Sequence, residues 1–152
     1  MNLISKILPI GNILLDTEST SKKRMFERVG LLIENNQQIA RSQVFDSLFA
    51  REKLGSTGLG QGVAIPHGRI AKLRDATAAF VKTSHLIPFD APDGQPVNLI
   101  FVLLVPERAN DLHLQILGEL AQMFSDRSLR ERVAAAPDAQ SIHQIFADWK
   151  GA

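Results

Sequence analysis

The sequence predicts a single α/β domain built on a mixed sheet, and three observations carry that prediction. Apolar residues recur at helical spacing in the first third and again after Pro106, whereas residues 76–83 and 98–105 read as strands. No linker, internal repeat or low-complexity tract divides the chain. At 152 residues it suits one core, in which roughly 70% of the unfolded surface can be buried.

The elements follow in order. Ser21 can cap a helix over residues 22–34, where Met25, Val29 and Leu32 form one stripe with Phe26 and Ile33 beside it, a face that should pack on a sheet. A second helix is expected over residues 42–53 from Val44, Phe45, Leu48 and Phe49, with Gly55 as a left-handed stop just beyond. Residues 63–65 favour extended backbone because Ile65 precedes a proline. Of the two longer strands, 98–105 is apolar on both faces and so should be central. Pro88, Asp90, Pro92, Asp93 and Gly94 make the connection between them rich in turns. A helix capped at Asn110 or Asp111 follows, then a short helical segment over 128–134. Pro137 and Asp138 separate it from a last helix carrying Ile142, Ile145, Phe146 and Trp149.

Composition removes several function classes. Hydrophobic and charged contents of 45% and 22% are ordinary globular values, and a net charge of +1 leaves no electrostatic footprint for nucleic acid. The longest apolar run, residues 99–105, is too short to span a bilayer, and the N-terminal stretch, broken by Pro9 and Gly11, makes a poor signal peptide. The absence of cysteine removes disulfides, thiolate metal sites and thiol nucleophiles, and a cytoplasmic location is expected. No HExxH or other ligand spacing points to a metal or cofactor.

The chemistry is concentrated between Gly55 and Arg69. The P-loop template fails because Gln61 and Gly62 stand where lysine and serine or threonine are needed; the dinucleotide template fails at Val63. The Gly-rich loop could still offer unpaired N–H groups, with the Ser56 and Thr57 hydroxyls, to a phosphate; the same composition also suits a flexible turn. His67, between Pro66 and Gly68, is expected at a strand end as a neutral nucleophile, and Gly68 omits a side chain that would obstruct a partner.

Two further residues join it. His113 lies in the first turn of the helix after Pro106 on a stripe with Leu117, Leu120 and Phe124, so it should point inward, either donating to a bound anion or bonding a backbone carbonyl. Arg51, in the last turn before the loop, can swing over a phosphate or remain a solvated cation at a helix C-terminus. His85 and His143 are expected at the surface, and Glu52 and Lys53 as ordinary surface charges.

Arg51-Glu52-Lys53, followed by Gly55-Ser-Thr-Gly and ending in Ile65-Pro66-His67-Gly68, resembles the phosphorylation-site signature of type-2 enzyme IIA domains of the bacterial phosphotransferase system. The likeness extends over nearly the whole chain: Ser21-Lys22-Lys23-Arg24 and His113-Leu114-Gln115 are similar to the nitrogen-related branch. The resemblance implies a single α/β sandwich, its mixed sheet flanked by helices, over residues 1–152. It implies His67 as phosphoryl acceptor, with Arg51 and His113 around the phosphate and no metal required. The implied donor is an HPr-like histidine phosphocarrier docking on an apolar rim around Gly68, and the implied outcome is control of regulatory target proteins. Two other outputs remain open at this point: a sugar-transport component passing phosphate to a separate IIB protein, and a plain anion-binding module.

Overall fold

The computed structural model describes residues 2–108 and 111–150. Among the described residues six strands form one sheet: β1 (Ile13–Thr17), β2 (Gly58–Gly60), β3 (Val63–Ala64), β4 (His67–Ile70), β5 (Thr77–Ile87) and β6 (Val97–Pro106). The helices are α1 (Leu3–Ile7), α2 (Lys22–Gln37), α3 (Arg41–Lys53), α4 (Asp111–Phe124), α5 (Arg127–Ala135) and α6 (Ala139–Asp148). Strand order is β1-β5-β6-β3-β2, with β4 also on β6. The sheet is mixed, since β1 and β5 run parallel, as do β3 and β4 with β6, while β5 and β6 are antiparallel.

β6 is central, as its two apolar faces require. Phe101, Leu103 and Val105 face one cluster with α4, α5 and α6, whereas Ile100, Val102 and Leu104 face another with α2 and α3. Phe80, Phe101, Phe124 and Phe146 anchor the first cluster, with ring centroids 5.1 to 6.4 Å apart. The expected α2 stripe is buried on the second. Lys82 on β5 ties sheet to helix by donating to the carbonyls of Val133, Ala134 and Ala136 at the end of α5.

The structure departs from the expected pattern at the end of α2, in β1 and α1, and at His143. α2 runs three residues past Glu34, because the polar Asn35-Asn36-Gln37 turn stays helical on the exposed side and the chain leaves only at Gln38, in the left-handed region at φ 58°. β1 and α1 were not anticipated: Ile13-Leu14-Leu15 is too short an apolar run to signal a strand, and it becomes one by pairing with β5. His143 is half-buried rather than superficial, its Nε2 donating to the Ser5 carbonyl at 3.1 Å and tying α6 to α1. His85 is exposed, as expected. Of the two caps expected for α4, Asp111 opens the helix and Asn110 lies outside the described residues.

Candidate functional site

His67 was expected to end a strand; it begins one. Val63 pairs with Leu99, Ala64 with Ile100 and His67 with Leu103, so β3 and β4 follow β6 in one uninterrupted register. The strand assignment lapses only at Ile65 and Pro66, where proline has no N–H to donate and restrains its predecessor, while the Pro66 carbonyl still accepts from Leu103 N at 2.9 Å. The Ile65 carbonyl, two residues before the ring, faces the imidazole and accepts a 2.8 Å hydrogen bond from His67 Nδ1. A carbonyl oxygen can only accept, so Nδ1 carries the proton and Nε2 keeps its lone pair.

The strand alternates. His67 and Arg69 lie on the α4 side with Leu103 and Val105, while Gly68 and Ile70 face α3. Gly68 is buried, and a Cβ there would stand 2.1 Å from Ser47 Oγ and 3.1 Å from the Ser47 carbonyl carbon. The glycine therefore admits α3 of its own chain against β4, not an external partner. Ser47 Oγ fastens the contact by donating to the Arg69 carbonyl at 2.9 Å.

Between α3 and α4, at this edge of the sheet, lies a cleft of about 590 Å³. It brings together Arg51, His67, Gly68 and His113, with Leu54, Leu114 and Leu117 as apolar lining. His113 points inward, 6% exposed, as its stripe required. Arg51 crosses the end of α3 and donates from Nη1 to the Gly55 carbonyl at 2.9 Å. The His67 pKa lies below its ordinary 6.5. Burial is the chief cause and the Arg51 cation a lesser one, opposed by the Ile65 hydrogen bond and the Glu52 charge. The ring is thus neutral at pH 7, beside the Arg51 cation and a second imidazole.

The structure does not bring Ser56 and Thr57 into this cleft. Ser56 Oγ donates to the Phe89 carbonyl and accepts from Gly58 N. Thr57 is buried, donating from N at 3.0 Å and from Oγ1 at 2.6 Å to the Glu52 carboxylate. The Gly-rich loop is no open cradle either. Gly55 N bonds the Glu52 carbonyl, Gln61 N bonds the Asp93 carboxylate at 2.9 Å, and Gln61 and Gly62 turn β2 into β3 at positive φ. Folded into a hairpin and clamped by the 88–95 connection, the loop is a support for the His67 strand.

Glu52 is not the surface charge expected: its side chain is 4% exposed and bonds Lys22 Nζ at 2.9 Å as well as Thr57. The signal was present: Val44, Leu48 and Glu52 recur every four residues, which places the carboxylate on the buried stripe. Leu54 and Leu114, 85% and 68% exposed at the cleft mouth, also escaped sequence reasoning, because only the fold makes neighbours of the end of α3 and the start of α4.

Over residues 6–149 the chain matches the family described as phosphoenolpyruvate-dependent sugar phosphotransferase system, EIIA 2. It is 40% identical over 146 residues, 95% of each chain, to the nitrogen regulatory protein of Pseudomonas aeruginosa. The crystal structure of nitrogen regulatory protein IIA-Ntr from Neisseria meningitidis superposes with a TM-score of 0.90 at 54% identity, covering 95% of this chain and 99% of that one. IIA mannitol from Escherichia coli, at 21% identity and a TM-score of 0.75 over 91% and 97% of the two chains, shares the fold.

Proposed function

Because this chain belongs to the EIIA type-2 family of the phosphoenolpyruvate-dependent sugar phosphotransferase system, we propose that it is a regulatory phosphocarrier accepting a phosphoryl group on His67 from an HPr-like histidine phosphocarrier. The observation that carries this reading is the hydrogen bond from His67 Nδ1 to Ile65, which leaves the Nε2 lone pair directed away from its own backbone. That lone pair attacks phosphorus in line as the P–N bond to the donor histidine breaks; the bonding electrons return to the donor imidazole. The two bonds are alike, so transfer is reversible.

The rest is positioning and charge, as phosphoryl transfer demands. The Arg51 guanidinium can meet the phosphoryl oxygens with charge-assisted bonds of roughly 1.5–3 kcal/mol each, and His113 supplies a second donor at the start of α4. The exposed Leu54 and Leu114 offer the donor protein an apolar rim. Regulation is preferred over sugar transport as the output because the relatives at 40% and 54% identity are nitrogen regulatory proteins. Phosphorylation places roughly two negative charges on the docking face, so each state presents a different surface to regulatory targets.

The test is intact mass after incubation with phosphoenolpyruvate, enzyme I and the HPr-like carrier, under non-acidic conditions. One phosphate is expected on the wild type and none on His67→Ala; equal labelling of both would overturn the assignment.

A further inference from the structure

Behind the imidazole lies a polar chain that the transfer chemistry does not use. Lys22, in the first turn of α2, reaches the Glu52 carboxylate at 2.9 Å and the Phe89 carbonyl at 3.3 Å, with its ammonium 4.6 Å from the Phe89 ring centroid. Glu52 holds Thr57 through both its hydroxyl and its N–H. The Thr57 carbonyl accepts from Ile65 N at 3.0 Å, and the Ile65 carbonyl accepts from His67 Nδ1 at 2.8 Å. Each member is held on both sides, and Glu52 and Thr57 are almost wholly buried. Thr57 and Ile65 flank the Gly58–Ala64 pair of the β2–β3 ladder, so the N–H bond of Ile65 to Thr57 carries that pairing up to the residue before Pro66.

We propose that Lys22, Glu52 and Thr57 are positioning residues that fix the Ile65 peptide and thereby select the tautomer and orientation of the His67 ring. The inference deepens the phosphocarrier reading and rests on it for its effect on rate. Without the Glu52 carboxylate, two donors on Thr57 lose their acceptor, and its carbonyl is held only by Ile65 N and, across the same peptide, by the Gly58 N–H on Ser56 Oγ. The Ile65 carbonyl then aims less well at Nδ1. Part of the ring population moves its proton to Nε2, where it blocks attack.

The experiment measures the His67 ring nitrogens by proton–nitrogen NMR without any carrier, and then kcat and KM for phosphoryl acceptance, in Glu52→Ala, Glu52→Gln and Thr57→Val. Wild type should show one tautomer with the proton on Nδ1. Glu52→Ala should show a mixture and lose roughly ten- to a hundredfold in kcat with KM little changed, as misplacement of a reacting group does. Glu52→Gln, whose amide can still bond Thr57, should lie nearer the wild type. Should Glu52→Ala not fold, Thr57→Val keeps the β-branched shape and carries the same expectation. Unaltered ring spectra in the variants would overturn the proposal, and so would a kcat loss without a ring change or a ring change without a kcat loss. If the wild type accepts no phosphate, the phosphocarrier reading fails while the ring spectra still decide the relay.

Discussion

His67 can act as a nucleophile only while its ring is neutral, and the groups around it set the pH range where that holds. Burial and the Arg51 cation lower its pKa below 6.5 against the pull of the Ile65 carbonyl and the Glu52 charge. An NMR titration of the ring should therefore find a midpoint below 6.5, and Arg51→Met should move it upward by removing a like charge. The unfolded chain takes up the histidine proton at a higher pH than the folded one, so this contribution is complete above 6.5 and is lost as pH falls toward the depressed native value. A denaturation series in which His67→Gln has the same acid dependence as wild type would contradict it.

At the scale of elements, α3 and β4 approach closely because Gly68 has no side chain. A methyl group there meets Ser47 Oγ, which can rotate away, and the Ser47 backbone, which cannot. Gly68→Ala should cost about 1–3 kcal/mol in chemical denaturation, as overpacking does. Adding Ser47→Ala removes the nearest clash but leaves the backbone one, so it should restore part of the loss; full restoration would mean that the helix shifts freely. The same contact sets one wall of the cleft, so Gly68→Ala should also slow phosphoryl acceptance more than its effect on stability explains.

At the scale of the molecule, the site exists because two distant segments meet over one strand edge: the end of α3 brings Arg51 and Leu54, and the start of α4 brings His113 and Leu114. The exposed leucines at the mouth suit docking of a carrier, with apolar anchors around the reacting group. Leu54→Glu and Leu114→Glu should each raise KM for the phosphorylated carrier by about tenfold, equivalent to about 1.4 kcal/mol, while leaving kcat near the wild-type value. A kcat effect of similar size would place these residues in the reaction rather than in docking. Among the described residues no helix is long and apolar enough to cross a membrane.

The α2 and α3 stripes, the two-faced central β6 and the inward His113 are legible in the sequence, since each is a local pattern of spacing and residue type, and the segment from Arg51 to His67 lies within the residues that match the family. The sequence could not determine what the polar groups of that segment bond. Ser56 and Thr57 are hydroxyls in a glycine-rich loop, and nothing local distinguishes one that faces a phosphate from one that faces Phe89 or Glu52. Nor could it assign Gly68 to Ser47, or Lys22 to a carboxylate thirty residues away. Those pairings belong to the tertiary structure, because a hydrogen-bond partner or a steric contact is a property of positions in space. The same holds for the proton on His67, which Nδ1 carries because the fold turned one carbonyl toward it.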